Sequence, residues 1–176
     1  GEVYVASPDQ QIVDIVKNSG GNAIKTSDNH ETGTDRIFEV FKETLNSEPN
    51  IIINLQGDMP NLEPKAISNL VSYMTKNKCD IGTLASDFNA KNEMSNPNVV
   101  KVAVKEKLSE DVFLNAFDFF RAKIKSTYNL YHHIGIYAFT NKALIRYVSL
   151  KRSKLELVRK LEQMRALENK MSIHVG

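Results

Sequence analysis

Asp58 stands in the stretch IIINLQGDMP, residues 51–60, where an apolar run gives way at once to Gln56, Gly57 and an acid. A carboxylate at the carboxyl end of a strand, beside a glycine that lets backbone approach a ligand, can hold Mg²⁺ against phosphate oxygens. An Asp that caps a turn ahead of Pro60 is the plainer reading, and the tripeptide alone favours it slightly. HETGTDR, residues 30–36, sets Gly33 between Thr32 and Thr34 just before a helix. Backbone N–H groups and hydroxyls there can grip a phosphate or a base edge, although Thr32 as an ordinary N-cap needs no ligand. His132 and His133 are neighbours on a strand and so point to opposite faces, which excludes a shared metal and leaves one of them for a cleft. No Walker A loop, dinucleotide-binding glycine pattern, Ser-His-Asp or Cys-His arrangement occurs.

These residues need elements that bring them to one edge. A strand at 3–6 leads to a helix with Ser7 as cap, Pro8 at its first position and Gln10 at capping-box spacing. Ile12, Ile15 and Val16 give that helix an apolar face, and Gly20-Gly21 ends it. A short strand at 23–26 precedes HETGTDR, and Ile37, Val40, Phe41 and Leu45 mark a second helix. Residues 51–55 are apolar at nearly every position, as in a strand buried on both faces of a parallel sheet. Pro64 opens a helix with Ile67, Leu70, Val71 and Met74 on one face, and residues 80–85 form the next strand. The runs 96–104 and 114–120 suggest a hairpin-like excursion; HHIGIYAF is again a buried strand, followed by helices at 141–147 and 153–169. The alternation predicts one α/β domain over 1–176 with a mainly parallel sheet, whose ligands bind beyond the carboxyl ends of the strands. Lys151, Arg152, Lys154, Arg159 and Lys160 make a basic cluster that reads as a solvated helix face.

The totals exclude several classes. With 176 residues, 41% apolar, and 23 basic against 21 acidic residues, the chain has one ordinary core and a net charge of +2. Nothing in that balance calls for nucleic acid as a partner. No run approaches the roughly 18–20 apolar residues that span a bilayer, and no secretory signal opens the chain. Cys79 is the sole cysteine, so an internal disulfide is impossible; a buried structural thiol and a cytoplasmic location are expected. Both ends break off within strand-like runs, GEVYVAS and SIHVG, and truncation at both ends is expected.

Taken in order, HETGTDR, NLQGDMP, NPNVVKV, YHHIGIYAF and LEQMRALEN closing with IHV resemble the 3-deoxy-manno-octulosonate cytidylyltransferases along the whole chain. The family's forms of these motifs are HxSGTDR, QGDEP, HIGIY and LEQLRALE. The resemblance implies a Rossmann-like sheet of the nucleotide-diphospho-sugar transferase type, with a small β insertion at 100–130 through which a homodimer forms. It implies transfer of CMP from CTP to the sugar acid 3-deoxy-manno-octulosonate (KDO), with release of pyrophosphate, for lipopolysaccharide synthesis. Position by position, Asp58 matches the family's magnesium ligand, and Gln56, Thr32 and Arg36 its nucleotide side. On the sugar side, His133 and Tyr137 match HIGIY, and Glu162 and Gln163 match LEQ. Arg121, in FFRAKI, stands at a family arginine suited to a sugar carboxylate or phosphate.

Departures are Met59 for the family's Glu, and Phe120 and Lys123 for its Ser and Pro. The family's N-terminal phosphate-binding segment and its late aspartate, the second acidic metal ligand, would lie outside the chain. The chain by itself is therefore expected to be inactive. A sialic acid synthetase of the same superfamily, or a noncatalytic piece keeping dimer and sugar surfaces, is the alternative.

Overall fold

The structure, a computed structural model, describes residues 1–44, 49–90, 92–122 and 126–176. Backbone packing forms two units, Gly1–Glu48 and Pro49–Gly176.

In the first unit, β1 (Tyr4–Ser7) and β2 (Asn22–Lys25) pair in parallel across α1 (Gln10–Asn18), and α2 (Gly33–Thr44) follows. The N-cap expected at Ser7 falls two residues later. Asp9 Oδ1 accepts from Gln11 N at 2.8 Å, because Ser7 is drawn into the strand opposite Lys25 and Pro8 stays outside the helix. Gly20, at φ +82°, takes the left-handed turn that ends α1. A two-stranded sheet offers α1 only a narrow strip. Val13 fills it, while Ile12 and Ile15, expected on the packed face, stay exposed. In α2 the buried positions include Val40 and Phe41; Leu45 lies outside the described residues.

The second unit is built on six strands in the order β3-β7-β4-β8-β6-β5. They are β3 (Ile51–Asn54), β4 (Ile81–Ser86), β5 (Lys101–Val104), β6 (Leu114–Phe120), β7 (Asn129–Thr140) and β8 (Ile173–Val175). The sheet is mixed: β3, β4, β5 and β8 run one way and β6 and β7 the other, so β4–β8 is its parallel pairing. The α/β class holds, within the nucleotide-diphospho-sugar transferase fold. β3 pairs only with β7 among the described strands, and its isoleucines are half-buried, less enclosed than the apolar run suggests. β8, which in the sequence closes nothing, pairs with both β4 and β6. The excursion is a true antiparallel pair, β5 with β6, tied into the sheet through β7 and β8.

Helix α3 (Pro64–Lys76) lays Leu70 and Met74 on this sheet against Leu84, Ile136, Ala138 and the buried Cys79. The approach is close at Gly82, where a Cβ would stand 2.7 Å from Leu70 Cδ1 and 2.8 Å from Met74 Sδ. Any side chain there would force the Leu70 and Met74 side chains to shift. Burial lifts the Cys79 thiol to about 11, in keeping with a packed, inert group.

The single helix expected over 153–169 is two, α5 (Lys154–Arg159) and α6 (Gln163–Glu168), which follow α4 (Asn141–Ser149). Lys160 adopts φ 54°, ψ 47°, and this left-handed residue breaks the helix. Ser153 and Glu156 form a capping box at the head of α5. No helix among the described residues is long and apolar enough to cross a membrane.

Candidate active site

The long strand β7 carries the centre of the site. Its pairing with β4 slips between Thr83↔Tyr137 and Leu84↔Ile134, so Gly135 and Ile136 form a bulge. Bulges commonly sit where a strand must re-aim a side chain. Thr83 plugs this one: its hydroxyl donates to Ile136 O at 2.6 Å and lies 2.9 Å from His133 Nε2. A hydroxyl has one proton to give, so Nε2 is the imidazole's donor and Nδ1 its acceptor. His133 is buried, with Phe119 edge-on at 5.0 Å and Tyr137 at 5.5 Å. Burial, aided by the charge of His132, depresses its pKa to about 3, and the ring stays neutral. The Tyr137 phenol is held protonated, mainly by burial and then by the negative charge of Glu162; Arg121 opposes both. Four residues expected on the sugar side, Arg121, His133, Tyr137 and Glu162, thus share one neighbourhood of the second unit.

The break at Lys160 ends α5 shortly before the head of α6. Glu156, wholly buried, accepts from Arg165 Nε at 2.8 Å and Nη2 at 2.6 Å, and from Arg152 Nε at 3.1 Å. These partners, with the Ser153 cap, hold its carboxyl below the usual range against the opposing effect of burial. Arg165 also lies over the Tyr147 ring at 4.6 Å, and Tyr147 donates to Glu162 O at 3.0 Å. Gln163, the first residue of α6, is buried beside them. The basic cluster is accordingly only partly a solvated face. Arg152 is committed to Glu156, and Arg159 to Asp118 and to Phe119 O at 2.7 Å.

Asp58 sits in an exposed turn just past β3 and carries no hydrogen bond or ion pair among the described residues. Gln56 folds back, donating to Asn54 Oδ1 at 3.2 Å, and Asn54 pairs with Tyr137. Met59, the departure from the family pattern, is the contact between this loop and β7: a Cβ on Gly135 would lie 3.0 Å from Met59 Cε. The turn that bears the acid is thereby packed on the strand that bears His133 and Tyr137. No group of three His, Cys, Asp or Glu residues gathers at metal distance among the described residues. An uncommitted carboxylate on a turn still suits Mg²⁺, which commonly takes one or two carboxylates and completes its shell with phosphates and water.

The other expected pair belongs to the first unit. Thr32 caps α2, its hydroxyl donating to Asp35 Oδ2 at 2.7 Å and accepting from Asp35 N at 3.2 Å. Arg36 turns to Thr26 Oγ1 and Ser27 O, bracing the end of β2. Beside this loop an open depression of about 460 Å³ is lined by residues that include His30, Phe38, Glu39 and Lys42, with His30 and Glu39 paired.

The cytidylyltransferase family model matches residues 1–173. The 3-deoxy-manno-octulosonate cytidylyltransferase of Thermodesulfovibrio yellowstonii is 39% identical over 99% of this chain and 72% of its own length. That of Rhodopseudomonas palustris strain BisB5 is 42% identical over all of this chain and 72% of its own length. The chain belongs to the 3-deoxy-manno-octulosonate cytidylyltransferases. A solved CMP:2-keto-3-deoxy-manno-octonic acid synthetase, complexed with CTP, superposes with a TM-score of 0.86 at 32% identity, over the whole chain and 71% of that structure. The 4-diphosphocytidyl-2C-methyl-D-erythritol synthase of Anaerococcus prevotii, at 14% identity and a TM-score of 0.56, shares the fold.

In this cytidylyltransferase, a nucleotidyltransferase by family, sequence reasoning passed over Thr83, Lys101 and the Glu156–Arg165 pair. For Thr83 a signal existed: a lone glycine inside the strand HIGIY is the mark of a bulge, and a bulge exposes carbonyls that something must satisfy. Glu156 stood one turn into an S-x-x-E capping box, a visible pattern. Nothing local distinguishes Lys101 from any lysine on a strand.

Proposed function

We propose that the protein transfers CMP from CTP to 3-deoxy-manno-octulosonate, giving CMP-KDO and pyrophosphate, and that Asp58, Gln56, Thr32 and Arg36 serve the nucleotide while Arg121, His133, Tyr137, Glu162 and Gln163 serve the sugar acid. The observation that carries this reading is the gathering of Arg121 and Glu162 about His133 and Tyr137, which lie on the strand against which the Asp58 turn packs. The names of the relatives and the CTP complex of the similar synthetase support the same substrates.

The anomeric hydroxyl of the sugar acid attacks the α-phosphorus of CTP in line. The new O–P bond forms as the bond to the β-phosphate bridging oxygen breaks; pyrophosphate leaves with that electron pair, and the hydroxyl proton passes to solvent. The reaction asks little covalent work of the protein, so positioning and charge carry the rate. Arg121 offers a guanidinium to the sugar carboxylate, His133 Nδ1 accepts from a sugar hydroxyl, and the protonated Tyr137 donates. Each is held before substrate arrives, which is where such sites gain most. Mg²⁺, held in part by Asp58, would neutralise charge on the phosphate oxygens and on the departing pyrophosphate. We assign the homodimer to the 100–130 region, where the exposed Phe117 and Tyr128 stack at 5.0 Å, and the location to the cytoplasm.

The test is CMP-KDO formation from CTP, the sugar acid and Mg²⁺ by the intact protein, with sialic acid as competitor. Product from the octulosonate and none from sialic acid is expected; the reverse preference would overturn the substrate. Asp58→Ala should lower turnover by a factor on the order of 10³, as when a group stabilising developing charge is removed, with an unchanged melting temperature. Near-normal turnover of that variant would refute its metal role.

A further inference from the structure

Lys101, on β5, has no exposed surface, a rare position for a lysine unless it is paired. No carboxylate satisfies it among the described residues. Its three N–H donors go instead to three carbonyls: Asn96 O at 2.6 Å, Val99 O at 2.8 Å and Arg121 O at 2.8 Å. Three donors meet three acceptors, and nothing is left over for a substrate. The third acceptor is the telling one. Lys101 pairs with Phe120 at the end of the β5–β6 ladder, and Arg121 is the next residue, past the last strand partner. The ammonium thus takes over where the ladder stops.

Arg121 uses the same turn. Its Nη1 donates to Asn98 O at 3.2 Å, with Pro97 O at 3.5 Å. The carbonyls of 96, 97, 98 and 99 are shared between two cations, and Arg121's remaining guanidinium donors meet no partner among the described residues. We propose that Lys101 is a positioning residue for Arg121, fixing both the backbone that carries the guanidinium and the turn against which it rests, so that its free N–H groups face an anionic group of the substrate. The inference rests on the sugar-side reading of Arg121 given above.

The choice of carbonyls has a chemical logic. A carboxylate would satisfy Lys101 equally well but would compete for Arg121 and repel an incoming sugar carboxylate. Carbonyl dipoles take up the donors and add no net negative charge, so both positive charges remain. Burial and the charge of Arg121 lower the Lys101 pKa, in keeping with two cations held close together.

Lys101→Met keeps length and removes the donors; Lys101→Gln keeps donors but shortens the reach, and serves where the Met variant is not recovered folded. Both are compared in the intact protein with Arg121→Ala and with the double variant, using CTP and 3-deoxy-manno-octulosonate. Expected is a roughly tenfold rise in KM for the sugar acid, from loss of hydrogen bonds to a charged group. The CTP KM should stay within about twofold, and Lys101→Met should add less than about twofold to Arg121→Ala. Amide hydrogens of 96–101 and 121 should exchange faster, with β4 and β8 unchanged. A folded Lys101 variant with normal sugar-acid KM, beside an impaired Arg121→Ala, overturns this inference alone. Arg121→Ala without effect on that KM overturns the sugar-side reading of Arg121, and the inference with it.

Discussion

Thr32 and Arg36 in the first unit and His133, Glu156 and Arg165 in the second use polar groups in opposite ways. The first pair lies at the partly open start of α2, where the Thr32 hydroxyl closes the helix end and the Arg36 guanidinium braces a strand end. The second group is buried, with His133 Nε2 held by Thr83 and the Glu156 carboxylate by Arg165. Removing a group from the loop forfeits a cap. Removing one from the interior strands its partner away from water, which costs more than the bond was worth. The interior of the second unit is therefore expected to be the more rigid and the more fragile of the two regions.

Breaking the contrast starts with Arg165→Leu. It leaves the Glu156 carboxylate buried with Arg152 as its remaining cation, and a loss of about 3 kcal/mol is expected in urea unfolding, at the low end for broken buried pairs. A loss under about 1 kcal/mol would mean that water reaches the pair and that the contrast is false.

Acid should sharpen it next. His133 titrates near 3 when folded and near 6.5 when unfolded, so acidification protonates the unfolded chain first. The stability tied to the neutral ring is fully present above pH 6.5 and is lost as pH falls toward 3, about 2 kcal/mol of it between pH 7 and 5. His174, whose pKa is also lowered by burial, acts in the same sense. The measurement is therefore the difference from His133→Gln, which should unfold with a shallower pH dependence; identical slopes would show that the ring is hydrated.

Thr32→Ala should give the smallest effect, about 1 kcal/mol, the usual worth of an N-cap. A much larger loss would mean that the loop is as tightly coupled as the interior.

What the sequence made legible divides along the same line. Apolar periodicity placed α2, α3, β4 and β7, because a packed face must repeat in register with its element. The motif residues of β7 and α6 were found through the combination of motifs, and the fold brings several of them together. Local signals misled where a distant contact won. Ser7 reads as a cap until β2 claims it as a strand partner, and residues 153–169 read as one helix until Lys160 turns left-handed. Lys101 was invisible for a related reason: its acceptors include Arg121 O, 20 residues away, and no window of neighbours reveals that.

The contact of Met59 with Gly135 joins two motifs that lie far apart in the chain. In terms of descent, it makes their histories dependent. A side chain arising at 135 would press first on the methyl end of a flexible thioether, which yields readily, and the strain would pass to the turn carrying Asp58. Substitutions at 59 and 135 are then coupled, so the turn that bears Asp58 and the strand that bears His133 and Tyr137 drift as a linked pair.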